Sequence, residues 1–226
     1  MTIALSANAL TTLANLKMYI GLDLADTSQD TLLTILVNSA SQRVADYCNR
    51  DFALQQYTDN LVGNNRQTIT LKHYPVMSLI SVTMDDNVID LTDIDIDSEE
   101  GQLFDAASIW DQPGNLQNSL AQFPSDFQIA MLSAEANLQK RNIFITYTAG
   151  YVLPKDDSPA ATPPVARTLP WSLEEAVWQL VSINYNMRGA EHTEVEAYTG
   201  WRTHYVKDIP VWITDKLDKY RQVIVT

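Results

Sequence analysis

The stretch Thr27–Phe52, TSQDTLLTILVNSASQRVADYCNRDF, decides how the rest of the chain is read. Leu32, Leu33, Leu36, Val37, Ala40, Val44, Tyr47 and Cys48 recur in steps of one, three and four. Such steps place them on one stripe of a 3.6-residue helix. Asn38, Ser41, Gln42, Arg43 and Asp46 fall on the other side, and no Gly or Pro interrupts the run. Thr27 and Asp30 have the spacing of an N-terminal capping pair, with Asp in place of Glu or Gln. Asn49 tolerates the left-handed conformation that ends helices. The pattern predicts a helix over 28–49, about 30 Å long, which other elements must cover.

Working outward, Leu10, Leu13, Leu16 and Ile20 predict an amphipathic helix over 8–21, stopped by Gly21. Beyond Phe52 the periodicity becomes two. Gln67–Leu71, Leu79–Met84, Val88–Leu91, Asp93–Asp97 and the segment after Gly101 read as short strands, with Asp85-Asp86-Asn87 as a hairpin turn. Residues 111–141 have no clear period. Asn142–Ala149 is a strand with Ile143, Ile145 and Tyr147 on one face. Residues 154–170 hold five of the nine prolines and read as an extended linker. A helix over 172–188 follows, with Ser172 and Glu175 as its capping box and an apolar stripe of Leu173, Ala176, Val177, Leu180, Val181 and Met187. Trp201–Val206 reads as a short strand. A last helix over 208–224 carries Ile213, Leu217, Tyr220 and Ile224 on one side, with Asp208 as cap and Pro210 in its first turn. The expected fold is α+β: a helical bundle of N- and C-terminal helices with an antiparallel β lobe inserted at about 53–151, all in one domain, 1–226.

Charge narrows the function. Against 15 Lys and Arg stand 28 Asp and Glu, a formal net charge of -13. An acidic surface repels phosphates and anionic lipid, so nucleic acid and membranes are not expected as direct ligands. The single cysteine, Cys48, sits on the apolar stripe and reads as a buried structural thiol. The N-terminus lacks a basic, long-apolar leader pattern, and an intracellular, soluble protein is expected.

The candidates for chemistry are few. Asp93, Asp95 and Asp97 have the spacing of a calcium loop's first ligands, but the positions that need Gly and Glu hold Ser98 and Phe104. Alternation with Ile94 and Ile96 is better explained by a half-buried strand. His192 with Glu194 and Glu196 lacks helical metal-site spacing, and His73 and His204 stand apart from it. No Walker loop, GxSxG or GxGxxG is present. No catalytic residue, metal or cofactor is expected. The run Asp85–Asp111 has ten acidic residues and no Lys or Arg. It is either a solvated face or a surface that repels an anion.

The N-terminal pattern resembles the opening of head–tail connector proteins of long-tailed bacteriophages, also called head-completion or adaptor proteins. Leu16, Lys17, Tyr19, Asp23, Asp30, Leu32, Leu33, Ala40, Tyr47, Cys48, Arg50 and Phe52 carry the likeness. Tyr74-Pro75-Val76, Ser81-Val82, Ile145–Tyr151, Ser172–Arg188 and Pro210–Arg221 extend it; Asn49 replaces a usual Gly, and 111–141 departs from it. The resemblance implies a non-enzymatic virion protein that forms a ring, dodecameric like the portal, at the head–tail interface after synthesis in the host cytoplasm. Such a ring joins the portal to the next neck or tail-completion protein and passes DNA without binding it specifically. Portal docking would fall to the C-terminal segment, with Trp212, Tyr220, Val223, Ile224 and Val225 as candidates. Channel-lining candidates are Asp93, Asp95, Asp97, Glu191, Glu194 and Glu196. The alternatives are another neck, tail-completion or minor capsid protein, or a metal-binding hydrolase built on His192 and His204.

Overall fold

The computed structural model describes residues 3–106, 110, 143–188 and 209–222. They form two compact units, Met1–Ala53 with Tyr151–Thr226, and Leu54–Gly150. The first is helical and the second is built of strands, so the α+β reading with an inserted β lobe holds.

In the helical unit, α1 spans Leu13–Ile20 and α2 spans Asp30–Cys48. The first helix is shorter than its periodicity predicts, because two groups upstream are used otherwise. Thr12 Oγ1 accepts the Asn15 N–H at 3.2 Å, which makes Thr12 the N-cap. The Leu10 N–H goes to Ser41 Oγ at 3.1 Å rather than into a helix. That bond also explains why Ser41, expected on the polar side of α2, is buried. Gly21 closes α1 at φ 74°, in the left-handed region that favours glycine.

Along α2, Leu33, Val37, Ala40, Val44 and Cys48 are fully buried, while Leu32, Leu36 and Tyr47 are half-buried. The expected Thr27–Asp30 capping pair is absent: Gln29 is the N-cap and makes no side-chain cap. Asp30 is used instead by the buried Lys17, whose Nζ lies 2.5 Å from Asp30 Oδ1. This is a charge contact off that oxygen's hydrogen-bonding direction. Lys17 finds its directed partner in the Asp26 carbonyl at 2.7 Å. Asn49 ends α2 at φ 52° as expected, with the Arg50 N–H donating to the Ala45 carbonyl.

The third helix, α3, spans Trp171–Asn186, and α4 spans Val211–Leu217, followed by a 3-10 turn at Asp218–Tyr220. Leu173, Ala176, Val177, Leu180 and Val181 of α3 are buried with Ile213 and Leu217 of α4. Met187, assigned to the stripe from its spacing, lies past the helix end and is exposed. The Ser172–Glu175 capping box does not form: Ser172 Oγ pairs with Tyr220 Oη at 2.7 Å, and Glu175 Oε1 accepts from Lys216 Nζ at 2.8 Å. Helical structure ends before 224 because the Gln222 N–H leaves the helix to donate to the Cys48 carbonyl at 2.8 Å, at the end of α2. The expected strand Trp201–Val206 and the cap Asp208 lie outside the described residues.

The second unit holds two antiparallel sheets. The larger pairs β1 (Gln55–Leu61), β7 (Ile143–Ala149), β3 (Val76–Met84) and β4 (Asn87–Val88) in that order. The smaller pairs β2 (Thr68–Thr70), β6 (Gln102–Asp105) and β5 (Ile94–Asp97). The alternation expected of β7 is present, with Ile143, Ile145, Tyr147 and Ala149 buried. Asp85 and Asp86, at φ 49° and 64°, make the two-residue turn between β3 and β4. The return is only two residues long, and Leu91–Asp93 is a 3-10 turn rather than strand. Gly101, at φ 66°, also lies where an added Cβ would meet Tyr74 Cβ at 3.1 Å.

Strand β1 escaped the sequence reading. Its inward face carries Tyr57, Asp59 and Leu61, and Asp59 Oδ2 accepts the Tyr147 hydroxyl at 2.8 Å and the Lys72 N–H at 2.9 Å. With a carboxylate between Tyr57 and Leu61, the inward face lacks the continuous apolar alternation that a period-two search needs.

The burial gradient along α2 sets an order of mutational cost. Val44→Asp places a carboxylate with no partner in the core and is expected to abolish cooperative unfolding or cost at least about 3 kcal/mol. Leu36→Ala, at a half-buried position, should cost less than the about 2–5 kcal/mol of a fully buried leucine. Urea denaturation checks both, and a Val44→Asp protein as stable as the parent would remove α2 from the core.

Candidate interaction surfaces

Glu174 is fully buried in the first turn of α3 and has three partners. Its Oε1 accepts from the Thr11 hydroxyl at 2.8 Å and Asn15 Nδ2 at 2.9 Å. Its Oε2 pairs with the Arg167 guanidinium. Arg167 also donates to the Leu169 carbonyl at 2.9 Å and stacks 3.7 Å over the exposed Trp171 ring. Trp178 Nε1 donates to Thr11 Oγ1 at 2.7 Å, and its ring stacks on Tyr19. One carboxylate therefore ties the N-terminal segment and the proline-rich stretch to α3. Sequence gave no hint of it, since a Glu in a first helical turn ordinarily faces water.

The C-terminal candidates separate into two kinds. Trp212 is half-exposed, beside the exposed Val211, while Ile213 and Leu217 point into the core. Tyr220 is half-buried, held by Ser172, with Lys219 Nζ 4.7 Å from its ring centre. Next to it, Tyr47 Oη donates to Asp218 Oδ1 at 2.5 Å, and that bond raises the Tyr47 pKa above the usual phenol value. Tyr220 and its neighbours thus anchor the turn after α4, and Val211 and Trp212 are offered outward. Val223, Ile224 and Val225 lie outside the described residues.

Of the acidic candidates, Asp93, Asp95 and Asp97 are exposed. Asp95 and Asp97 line a cleft on the smaller sheet with Glu99, Thr68, Gln102 and Phe104. Asp97 Oδ1 accepts the Glu99 and Glu100 N–H groups at 3.2 and 3.1 Å, which shapes the turn after β5. Asp90 similarly accepts the Thr92 N–H, a bond that lowers its pKa. Glu191, Glu194, Glu196, His192 and His204 lie outside the described residues. His73 stacks on Tyr57 with ring centres 3.7 Å apart. Among the described residues no group of three His, Cys, Asp or Glu could hold a metal, and no helix is long and apolar enough to cross a membrane. Cys48 is fully buried, and burial pushes its thiol up to about 11.

These features describe a protein organised for packing and contact: a helical unit knit by buried polar bonds, with exposed aromatic and acidic surfaces. The family model "Head completion protein" matches residues 9–132, more than half of the chain. The chain belongs to the head completion protein family, whose members are structural virion proteins rather than enzymes. No curated relative matches it. Among solved structures, the neck of an empty gene transfer agent particle computed with C6 symmetry is similar at TM-score 0.53 and 13% identity, covering 100% of this chain and 95% of that one. The neck of the native particle computed with C12 symmetry is similar at TM-score 0.51 and 14% identity, with 100% and 95% covered. The virion of the native particle is similar at TM-score 0.53 and 13% identity, with 99% and 95% covered. At these identities the likeness is one of fold.

Removing Glu174 tests the network. Glu174→Ala leaves Arg167, Thr11 and Asn15 without their shared acceptor, and breaking such a buried pair costs about 3–5 kcal/mol. Glu174→Gln retains an acceptor for Thr11 and Asn15 and should cost less. Urea unfolding of the two variants checks the order; equal and negligible losses would show that the network is dispensable.

Proposed function

We propose that this chain is one subunit of a ring at the head–tail interface of a virion, seated between the portal and the next neck or tail-completion protein. Twelve copies would extend the channel through which DNA passes without specific binding. The observation that carries this reading is the family match over 9–132, which spans α1, α2 and most of the β unit's strands. The fold likeness to necks computed with C6 and C12 symmetry supports a ring with heterologous contacts. Synthesis in the host cytoplasm precedes assembly in this reading.

The C-terminal segment is the proposed portal-docking element. Its helix closes the core with Ile213 and Leu217 while leaving Trp212 half-exposed, a division suited to packing on one side and docking on the other. Trp212 and the β-prone end Val223, Ile224, Val225 would make the contact, with Tyr220 fixing the segment's position. Deleting Val223–Thr226, and separately Trp212→Ala, is expected to weaken portal binding at least tenfold with an unchanged melting temperature. Parental binding by both variants would overturn the docking assignment.

The channel wall is proposed to carry Asp93, Asp95 and Asp97, with Glu191, Glu194 and Glu196 as the second acidic group. Carboxylates beside a passing duplex disfavour contact with phosphates, within about a Debye length of 8 Å at physiological salt. Particles carrying Asp93→Lys, Asp95→Lys and Asp97→Lys together are expected to release DNA several-fold more slowly, because lysines grip phosphates. Release at the parental rate would take these residues off the wall.

A further inference from the structure

The larger sheet of the β unit has one face in the core and one face open. Four large apolar side chains stand on the open face: Met77 is 51% exposed, Ile80 47%, Phe144 40% and Val88 80%. Two of them are there because of backbone irregularity. The β3–β7 register skips one residue between Val76 and Ser78 and one between Leu79 and Ser81. Met77 and Ile80 are the extra residues of these bulges, and each is turned outward beside its neighbouring serine. A strand that merely alternated would set fewer apolar groups toward solvent.

The rest of the open face is polar without charge. At the outward register positions of β1, β3, β4 and β7 there is no Asp, Glu, Lys or Arg. Four of its hydroxyls are already partnered across strands: Thr58 with Thr146 at 3.2 Å, and Ser78 with Thr148 at 2.7 Å. Covering hydroxyls that keep their hydrogen bonds avoids the penalty of burying unsatisfied polar groups. Apolar groups on such a background have the make-up of an interface core, which is depleted in charge.

We propose that this face is the surface through which one copy of the chain contacts the next. The inference rests on the ring reading above and names the surface that ring would use. Charge selects the occupant. With a net charge of -13, two copies repel wherever their acidic surfaces meet. A charge-free face lets like-charged copies approach at least electrostatic cost. It offers no cation to a nucleic acid phosphate and no charge to pair with a basic partner. In a ring the contact is heterologous, so this face meets a different patch on the neighbour.

The test is sedimentation velocity of the full chain across a concentration series, in low and high salt. Raising salt from about 0.01 M to about 1 M shortens the Debye length from about 30 Å to about 3 Å, which relieves the repulsion between copies. The parent is expected to be monomeric in low salt and to associate in high salt. Ile80→Asp and Val88→Asp, measured singly, are expected to weaken high-salt association at least tenfold with melting temperatures within a few degrees of the parent. Val88 is the more exposed, so Val88→Asp decides if Ile80→Asp disturbs the bulge. Val211→Asp adds the same charge to an exposed site on the helical unit and is expected to associate like the parent. Association of Val88→Asp at parental strength overturns the inference and leaves the ring reading standing. Equal weakening by Val211→Asp overturns it too, since the effect would then be general repulsion. A parent monomeric at every salt and concentration overturns self-contact through this face together with the ring reading.

Discussion

The helical unit depends on a carboxylate held away from water. Glu174 has no exposed surface, and its oxygens are taken by Thr11, Asn15 and Arg167. A buried ion pair adds little to stability relative to a well-packed apolar group, because desolvation offsets much of the Coulomb attraction. Its effect is on geometry. The three donors belong to the N-terminal segment, α1 and the proline-rich stretch, so the carboxylate is satisfied only when all of them are in place. An alternative packing of these segments leaves a buried charge without partners, which disfavours it strongly.

Around that point α1, α4 and the turn after α4 are held by polar bonds as well as by apolar contacts. Lys17 is buried against the turn before α2, Glu175 holds Lys216 of α4, and Ser172 holds Tyr220. The last of these bonds, from Gln222 to the Cys48 carbonyl, supplies a donor to an otherwise orphaned group at the end of α2. A short α4 of seven residues would be marginal alone, and these tethers with Ile213 and Leu217 keep it in place. The large apolar residues this leaves outward on α4 are Val211 and Trp212.

The two units divide the chain's apolar and charged surface differently. In the β unit, acidic residues gather on the hairpin turn, on β5 and on the turn after it, while the open face of the larger sheet has none. Segregation of this kind lets one unit present a repelling surface and a contact surface at once. In a protein with so large a net negative charge, a charge-free area is where like-charged copies approach at least electrostatic cost.

The sequence by itself determined the elements whose signal is local. The period of α2, the left-handed Asn49 that ends it, the alternation of β7 and the Asp85–Asp86 turn follow from side-chain spacing and backbone preference within a few residues. The family likeness was legible for the same reason, since it consists of packing residues and turns. Trp212 was legible as a residue off its helix's stripe. Tertiary structure decided what each polar residue does. Ser41, Asp59 and Glu174 are buried because partners distant in the chain satisfy them: Tyr147 lies 88 residues from Asp59, and Thr11 lies 163 from Glu174. The outward turn of Met77 and Ile80 depends on the register of β3 against β7, strands far apart in sequence. Burial of a polar group and placement of a bulge are set by groups that meet only after folding, and a local pattern carries no record of them.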